Sequence, residues 1–201
     1  MGPLPGALPP FLPASAPSLD GRARLKVAVL VRRPEGVWGL RTMPRRLKPV
    51  ELEFLATAPV RHVFAREVAA PPETVFQALA VDVAQWPAWF TSVTRARPTR
   101  GGTGRVVHLQ GGVRFEETIL AAHAPERYAY RVDVTNAPGV RALAEEWHLA
   151  PAGSGTRVRW TFAIEPRRLA RPLFRLGGRG LRRTFEAAVG NLDRRLSGTK
   201  A

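Results

Sequence analysis

The stretch VRFEETILAAHAPERYAYRVDVTNAPGVRALAEEWHLAPAGSGTRVRWTFAIE, residues 113–165, alternates apolar and polar side chains with a period of two. Turn formers divide it into four strands, 113–123, 127–135, 140–150 and 156–165. The breaks fall at Pro125-Glu126, at Asn136-Ala137-Pro138-Gly139 and across 151–155. Upstream the pattern continues. Residues 92–98 and 105–110 read as two more strands, with turns at Gly101-Gly102-Thr103-Gly104 and at Gly111-Gly112, where glycine permits the positive φ of a tight hairpin. Six strands joined this closely are antiparallel, because a parallel crossover needs a dozen or more residues.

Working outward, residues 62–69 read as a first strand, which brings the sheet to seven. Pro71-Pro72-Glu73 then opens a helix, since proline suits the first turn and glutamate the positive end of the helix dipole. Val75, Phe76, Leu79 and Val83 recur at helical spacing, giving one helix over 72–80 and a second short one over 81–85. Trp86-Pro87-Ala88-Trp89-Phe90 is expected to break it. At the other end, 169–196 is helical, with Leu173, Gly177, Leu181, Thr184, Ala188 and Leu192 on one side. Arg168, Arg171, Arg175, Arg179 and Arg182 fall opposite, as an arginine ridge, and Gly177-Gly178 with Gly180 predict a kink. The fold class is α+β: a curved seven-stranded antiparallel sheet around a long C-terminal helix, with two short helices after the first strand. The physical gain is that one apolar face of the sheet is buried by one complementary helical stripe.

Composition sets the limits. In 201 residues there is room for one domain with an extension. Residues 1–24 read as a disordered Pro-rich tail, 25–60 as an N-terminal extension in which 25–31 and 37–40 can pair as a short hairpin, and 61–197 as the folded domain. One reading takes Met43 as an alternative start, with residues 1–42 dispensable; the other keeps them as part of the protein. The opening 19 residues carry six prolines and no early positive charge, which argues against a secretory signal. No segment reaches the ~18–20 apolar residues of a membrane span. The absence of cysteine excludes disulfides, thiolate metal sites and thiol nucleophiles, and makes cytoplasmic the default expectation. The net charge is +15, but only three basic residues are lysines, so part of the arginine load reads as GC-rich coding bias. The excess is uneven: +5 over 1–60, +2 over 61–166 and +8 over 167–201.

Four stretches carry a family resemblance: AAPPETVFQAL before the first helix, WPAWF after the second, APERYAYRV entering a strand, and EEWHLAPAGSGTRVRWTF across the last hairpin. With this element order the chain resembles the START-like or SRPBCC superfamily, which includes the polyketide cyclase/dehydrase-like proteins and the birch pollen allergen. The resemblance spans about 140 residues and leaves 1–60 outside. It implies the helix-grip fold and a ligand cavity between sheet and helix. It does not choose among lipid carriers, ligand receptors and cyclases, since one scaffold serves many functions.

Polar residues on apolar faces are the candidates for chemistry. Glu117 interrupts the series Val113, Phe115, Ile119, Ala121, and Glu145 interrupts Leu143, Trp147, Leu149. With Tyr130 between them they either line one wall of the interior, where their carboxyls rise in pKa unless an arginine or hydroxyl reaches them, or are turned to the rim by a one-residue bulge. His108, in a strand of weak contrast, is a further catalytic candidate. The ligand-contact candidates are Trp86, Trp89 and Phe90, which form either a cavity mouth or a plug, together with Phe115, Glu117, Tyr130 and Trp147 on the sheet and Phe174, Leu181 and Phe185 on the helix. No metal ligands at a usable spacing, no phosphate loop and no cofactor motif are read. The arginine ridge is a solvated face, a contact for anionic lipid, or a nucleic-acid surface; no specific nucleic-acid motif supports the last.

With no complete catalytic constellation, the expectation is a carrier or sensor of a hydrophobic small molecule, lipid or polyketide-like. The alternatives are an aromatase/cyclase-type enzyme using Glu117, Glu145 and Tyr130, and an interaction protein that docks on anionic membrane through its basic C-terminal helix.

Overall fold

The computed structural model describes residues 43–198. The tail and the hairpin expected before residue 43 lie outside them. Among the described residues the chain order is β1 (Arg45–Arg46), α1 (Phe54–Thr57), β2 (Val60–Val68), α2 (Pro72–Phe76), α3 (Trp86–Trp89), β3 (Val93–Thr99), β4 (Gly104–Leu109), β5 (Arg114–His123), β6 (Arg127–Thr135), β7 (Val140–Ala152), β8 (Gly155–Pro166), α4 (Arg171–Leu176) and α5 (Gly178–Gly198). The sheet runs β2-β8-β7-β6-β5-β4-β3, every pair antiparallel. It is the expected curved sheet around a C-terminal helix, with short helices after the first long strand.

The eighth strand, β1, was not foreseen. Pairing of β6 with β7 stops at Arg131 opposite Ala144, and β1 takes the free edge of β6 at Val134 and Thr135. Leu47 N–H then donates to Asp133 O and Lys48 N–H to Arg141 O, both at 2.8 Å, so the segment bridges β6 and β7 where they part. Beyond it Val50 and Leu55 cover the outer face of the sheet against Ala121, Ala129, Ala142, Ala144 and Ala163. Residues 45–58, assigned from sequence to an extension, are thus packed on the sheet. The alanines explain why: small side chains on a strand face leave room for a further layer.

The helical run after Pro71 extends to Val81, close to the expected end, and a 3-10 turn over Val83–Gln85 stands where the second short helix was expected. Only the α2 part, to Phe76, is α-helical. A π turn over Gln77–Val81 follows, closed by Asp82 N–H donating to Gln77 O at 2.9 Å. Trp86-Pro87-Ala88-Trp89 does not break the helical run but forms the turn α3, because proline near a helix N-terminus has no N–H to lose. The long C-terminal helix is divided at Gly177, as the glycines predict. Its buried stripe is shifted from the expected one. Phe185, Ala188, Val189 and Leu192 are buried and Leu181 is half-buried, whereas Leu173 lies in α4 and is exposed.

Phe185 anchors α5, with its ring 6.1 Å from Trp160, 6.2 Å from Trp147 and 5.9 Å from Phe64. Burial of such a ring is worth about 1.5–3 kcal/mol. Much of the space expected to be open between sheet and helix is occupied by these aromatics and by Trp86, Trp89 and Phe90. Among the described residues no helix is long and apolar enough to cross a membrane.

Candidate functional site

Strand pairing places five inward side chains in one row: Ile119 on β5, Tyr130 on β6, Glu145 on β7, Phe162 on β8 and His62 on β2. The neighbouring row contains Arg105 on β4 opposite Glu117 on β5. Both glutamates therefore face the interior. A register shift does fall between Glu116 and Glu117, but Glu117 stays opposite Arg105 on one side and Val132 on the other. The shift between Ile119 and Ala121 reverses the strand's faces, so Ala121 leaves the inward series and joins the outer alanines.

Arg105 and Glu117 are each only 2% exposed, and Arg105 Nε donates to Glu117 Oε2. The guanidinium carbon lies 4.0 Å from the Trp86 ring centroid and 3.8 Å from that of Tyr130, within cation–π range of both. Arg105 Nη1 has no hydrogen-bond acceptor among the described residues. Burial opposes the charge on Arg105. The Glu117 carboxylate, followed by the Tyr130 and Tyr128 oxygens, outweighs it and leaves the guanidinium raised above its ordinary range. Glu117 is pushed up by burial and pulled down by Arg105. The net direction is upward, because burial is the largest cause and the Arg105 cation only opposes it.

One row away, Tyr130 Oη donates to Glu145 Oε2 at 2.8 Å, and Trp160 Nε1 donates to the same oxygen at 3.0 Å. Trp147 Nε1 donates to Tyr130 Oη at 3.0 Å. Burial and the Glu145 charge hold the Tyr130 hydroxyl well above its usual range, so it remains a donor. The Glu145 carboxyl is pushed up to about 7, first by burial and then by the nearby Glu117 charge, with Tyr130 and Arg105 opposing. It is 7% exposed, and both hydrogen bonds go to Oε2, which leaves Oε1 uncommitted. A carboxyl that titrates near neutrality can serve as proton donor, proton acceptor or anchor for a ligand's polar group.

Glu117, Tyr130 and Glu145 thus come together, but His108 does not join them. It pairs with Arg114 on the opposite face of β4, where slight burial and then Arg114, Arg95 and Arg97 lower its pKa. The ligand-contact candidates divide into two groups. Trp86, Trp89, Phe90, Trp147 and Phe185 are buried in the main core, with Trp86 5.3 Å from Trp89 and Trp147 stacked 5.5 Å from Trp160. This is the plugged junction. Phe115, Phe174 and Leu181 stay half-buried, as do Ile119 and Phe162 within the Glu145 row. Sequence reasoning missed Arg105. Its signal was present in the alternation Arg105, Val107, Leu109, in which an arginine occupies an inward position near a carboxylate that needs a counterion.

Residues 57–197 match the family described as polyketide cyclase / dehydrase and lipid transport. An uncharacterized protein of Mycobacterium tuberculosis is 32% identical over 128 residues, 61% of this chain and 76% of its own. A START superfamily protein from Mycobacterium smegmatis superposes with a TM-score of 0.56 at 15% identity, covering 70% of this chain and 99% of that one. Major latex-like protein 151 of Panax ginseng superposes at 0.55 and 9% identity, covering 67% and 95%. The two structures share the fold, and the match over 57–197 assigns the family: the chain belongs to the polyketide cyclase / dehydrase and lipid transport family.

Proposed function

We propose that the protein binds a hydrophobic small molecule, lipid or polyketide-like, on the concave face of the sheet beneath α4 and α5, as a carrier or sensor. Family and fold are consistent with such binding and with polyketide cyclase/dehydrase-type chemistry. The observation that carries the proposal is the row Ile119–Tyr130–Glu145–Phe162. Half-buried apolar side chains flank a carboxyl that has an uncommitted oxygen, with Phe115 and Leu181 also left half-buried. The apolar groups supply area and the carboxyl supplies orientation, the usual division of labour in a small-molecule site. The aromatic plug bounds this site on one side. The C-terminal helical run is divided between α4 and α5 at Gly177.

The test is native mass spectrometry of the purified full chain, followed by denaturation and extraction. A released apolar species, with a melting temperature raised when it is added back, is the expected result. Absence of any such species, and no thermal shift with long-chain fatty acids or polycyclic aromatic polyketides, would sink the proposal.

A second reading, a cyclase-type enzyme, is favoured by one observation, the Glu145 carboxyl at about 7 in contact with the Tyr130 hydroxyl. In this reading Glu145 exchanges a proton with the bound substrate. Glu145→Gln then retains ligand binding and loses turnover, whereas a pure carrier shows no turnover to lose.

A further inference from the structure

Six large hydrophobic side chains are exposed among the described residues, and three of them fall within eight positions: Leu169 at 99%, Leu173 at 44% and Leu176 at 73%. They recur at i, i+4 and i+7, the spacing that puts residues on one side of a helix, and Pro172 falls with them. Arg168, Arg171 and Arg175 join Pro172 and Leu176 around a shallow surface concavity of about 360 Å³. From Arg167 to Arg183 there are seven arginines and no acidic residue. Arg182 is already committed to Glu186 and to the face of Phe64. Arg168, Arg171, Arg175 and Arg179 have no acidic partner among the described residues. Acidic residues elsewhere on the sheet are largely paired, so this concentration of free cations beside bare leucines is a local feature of α4 and the turns flanking it.

We propose that this face, the turn at Leu169 with α4 and the start of α5, docks on an anionic lipid bilayer. The leucines enter the headgroup boundary while Arg168, Arg171, Arg175 and Arg179 meet lipid phosphates. Two physical facts select a bilayer over other anions. An apolar wedge framed by cations fits a surface that is charged outside and greasy beneath, whereas a polyanion such as nucleic acid gives the leucines nothing to bury against. Arginine's planar fork also suits phosphate oxygens. The inner side of the same element faces the proposed ligand surface. Phe174 packs in the cluster that includes Phe115 and Phe162, and its carbonyl lies 2.9 Å from His62 Nε2. Docking through the outer side thereby brings the mouth of that surface to the lipid. The docking itself does not depend on the ligand.

The experiment is co-sedimentation of the ligand-free full chain with vesicles of phosphatidylcholine alone and with 30% phosphatidylglycerol, at low and at high salt. Binding is expected to the anionic vesicles only, and to weaken with salt. At a factor of roughly five for each arginine, Arg168→Gln/Arg171→Gln/Arg175→Gln/Arg179→Gln loses about 600-fold in affinity. Leu169→Ser/Leu173→Ser/Leu176→Ser removes the binding that survives high salt. All seven positions are exposed, and an unchanged melting temperature verifies that the variants fold. Equal binding to neutral vesicles, or full binding by the arginine variant, overturns the proposal. So does tighter binding to duplex DNA that is indifferent to the leucines. Vesicle binding that persists in a protein shown to hold no apolar ligand supports docking while the ligand proposal fails, which keeps the two separable.

Discussion

Arg105 and Glu117 form an ion pair buried almost completely from solvent, with the guanidinium flanked by the rings of Trp86 and Tyr130. Such a pair balances a large desolvation cost against attraction at contact, so the penalty appears when one partner is removed. Glu117→Ala leaves a buried unpaired cation and is expected to destabilise the fold by about 3–5 kcal/mol. Replacing both groups, as Arg105→Met/Glu117→Leu, recovers most of that loss. Urea unfolding of the three proteins checks this. A double variant as unstable as the single one would show that the pair holds the fold through its hydrogen bonds and ring contacts rather than through charge balance.

Glu145 makes stability depend on pH in a direction opposite to an ordinary ion-paired carboxylate. Its carboxyl lies at about 7 in the folded chain against an ordinary 4.5, so between these values the native state holds a proton that the unfolded state has released. The resulting stabilisation is complete below the lower value and is lost as pH rises to about 7. The span amounts to about 3 kcal/mol. Subtracting the pH profile of Glu145→Gln from that of the wild type isolates this contribution from the other carboxylates. A flat difference would place Glu145 at an ordinary pKa.

Packing and ligand binding should separate by position on α5. Phe185 touches Trp147, Trp160 and Phe64, and Phe185→Ala is expected to cost about 3–5 kcal/mol through the hole it leaves. Leu181, one turn earlier and half-buried, borders the proposed ligand surface. Leu181→Trp should change stability by less than about 1 kcal/mol, since Leu181 is only half-buried. It should weaken ligand affinity at least ten-fold by filling the space. Thermal melts and fluorescence titration with the extracted ligand measure the two effects. Equal ligand affinity in Leu181→Trp would move the site elsewhere.

The segment before β2 belongs to the folded unit, so its apolar residues should matter like core residues. Leu55 is buried against the alanine face of the sheet. Leu55→Asp places an unpaired carboxylate there and is expected to destabilise by about 3 kcal/mol or more. A midpoint of urea unfolding unchanged from wild type would show that residues 45–58 are dispensable.

The alternation over 92–165 and the glycine-proline turns were enough to read six antiparallel strands, and the helical spacing over 169–196 gave the C-terminal helix. These depend on local periodicity and turn chemistry, which a linear chain states openly. The same alternation singled out Glu117, Tyr130 and Glu145 but left interior and rim both open, and strand pairing turned them inward. It could not place Ala121, because a register shift one turn of the pleat earlier reverses the faces, and such shifts are set by strand pairing. Nor could it show that Trp86-Pro87-Ala88-Trp89 would form a helical turn plugging the interior, since packing against Trp147 and Arg105 selects that conformation. The sequence by itself determined the layers and the candidate inward residues, through period and composition. Only the tertiary structure decided that Arg105 neutralises Glu117 while Glu145 is left near neutrality, that the segment before β2 bridges the parting strands, and that Leu173 turns outward among arginines. Each of these follows from distances between residues far apart in the chain, and electrostatics and packing respond to distance, not to order along the chain.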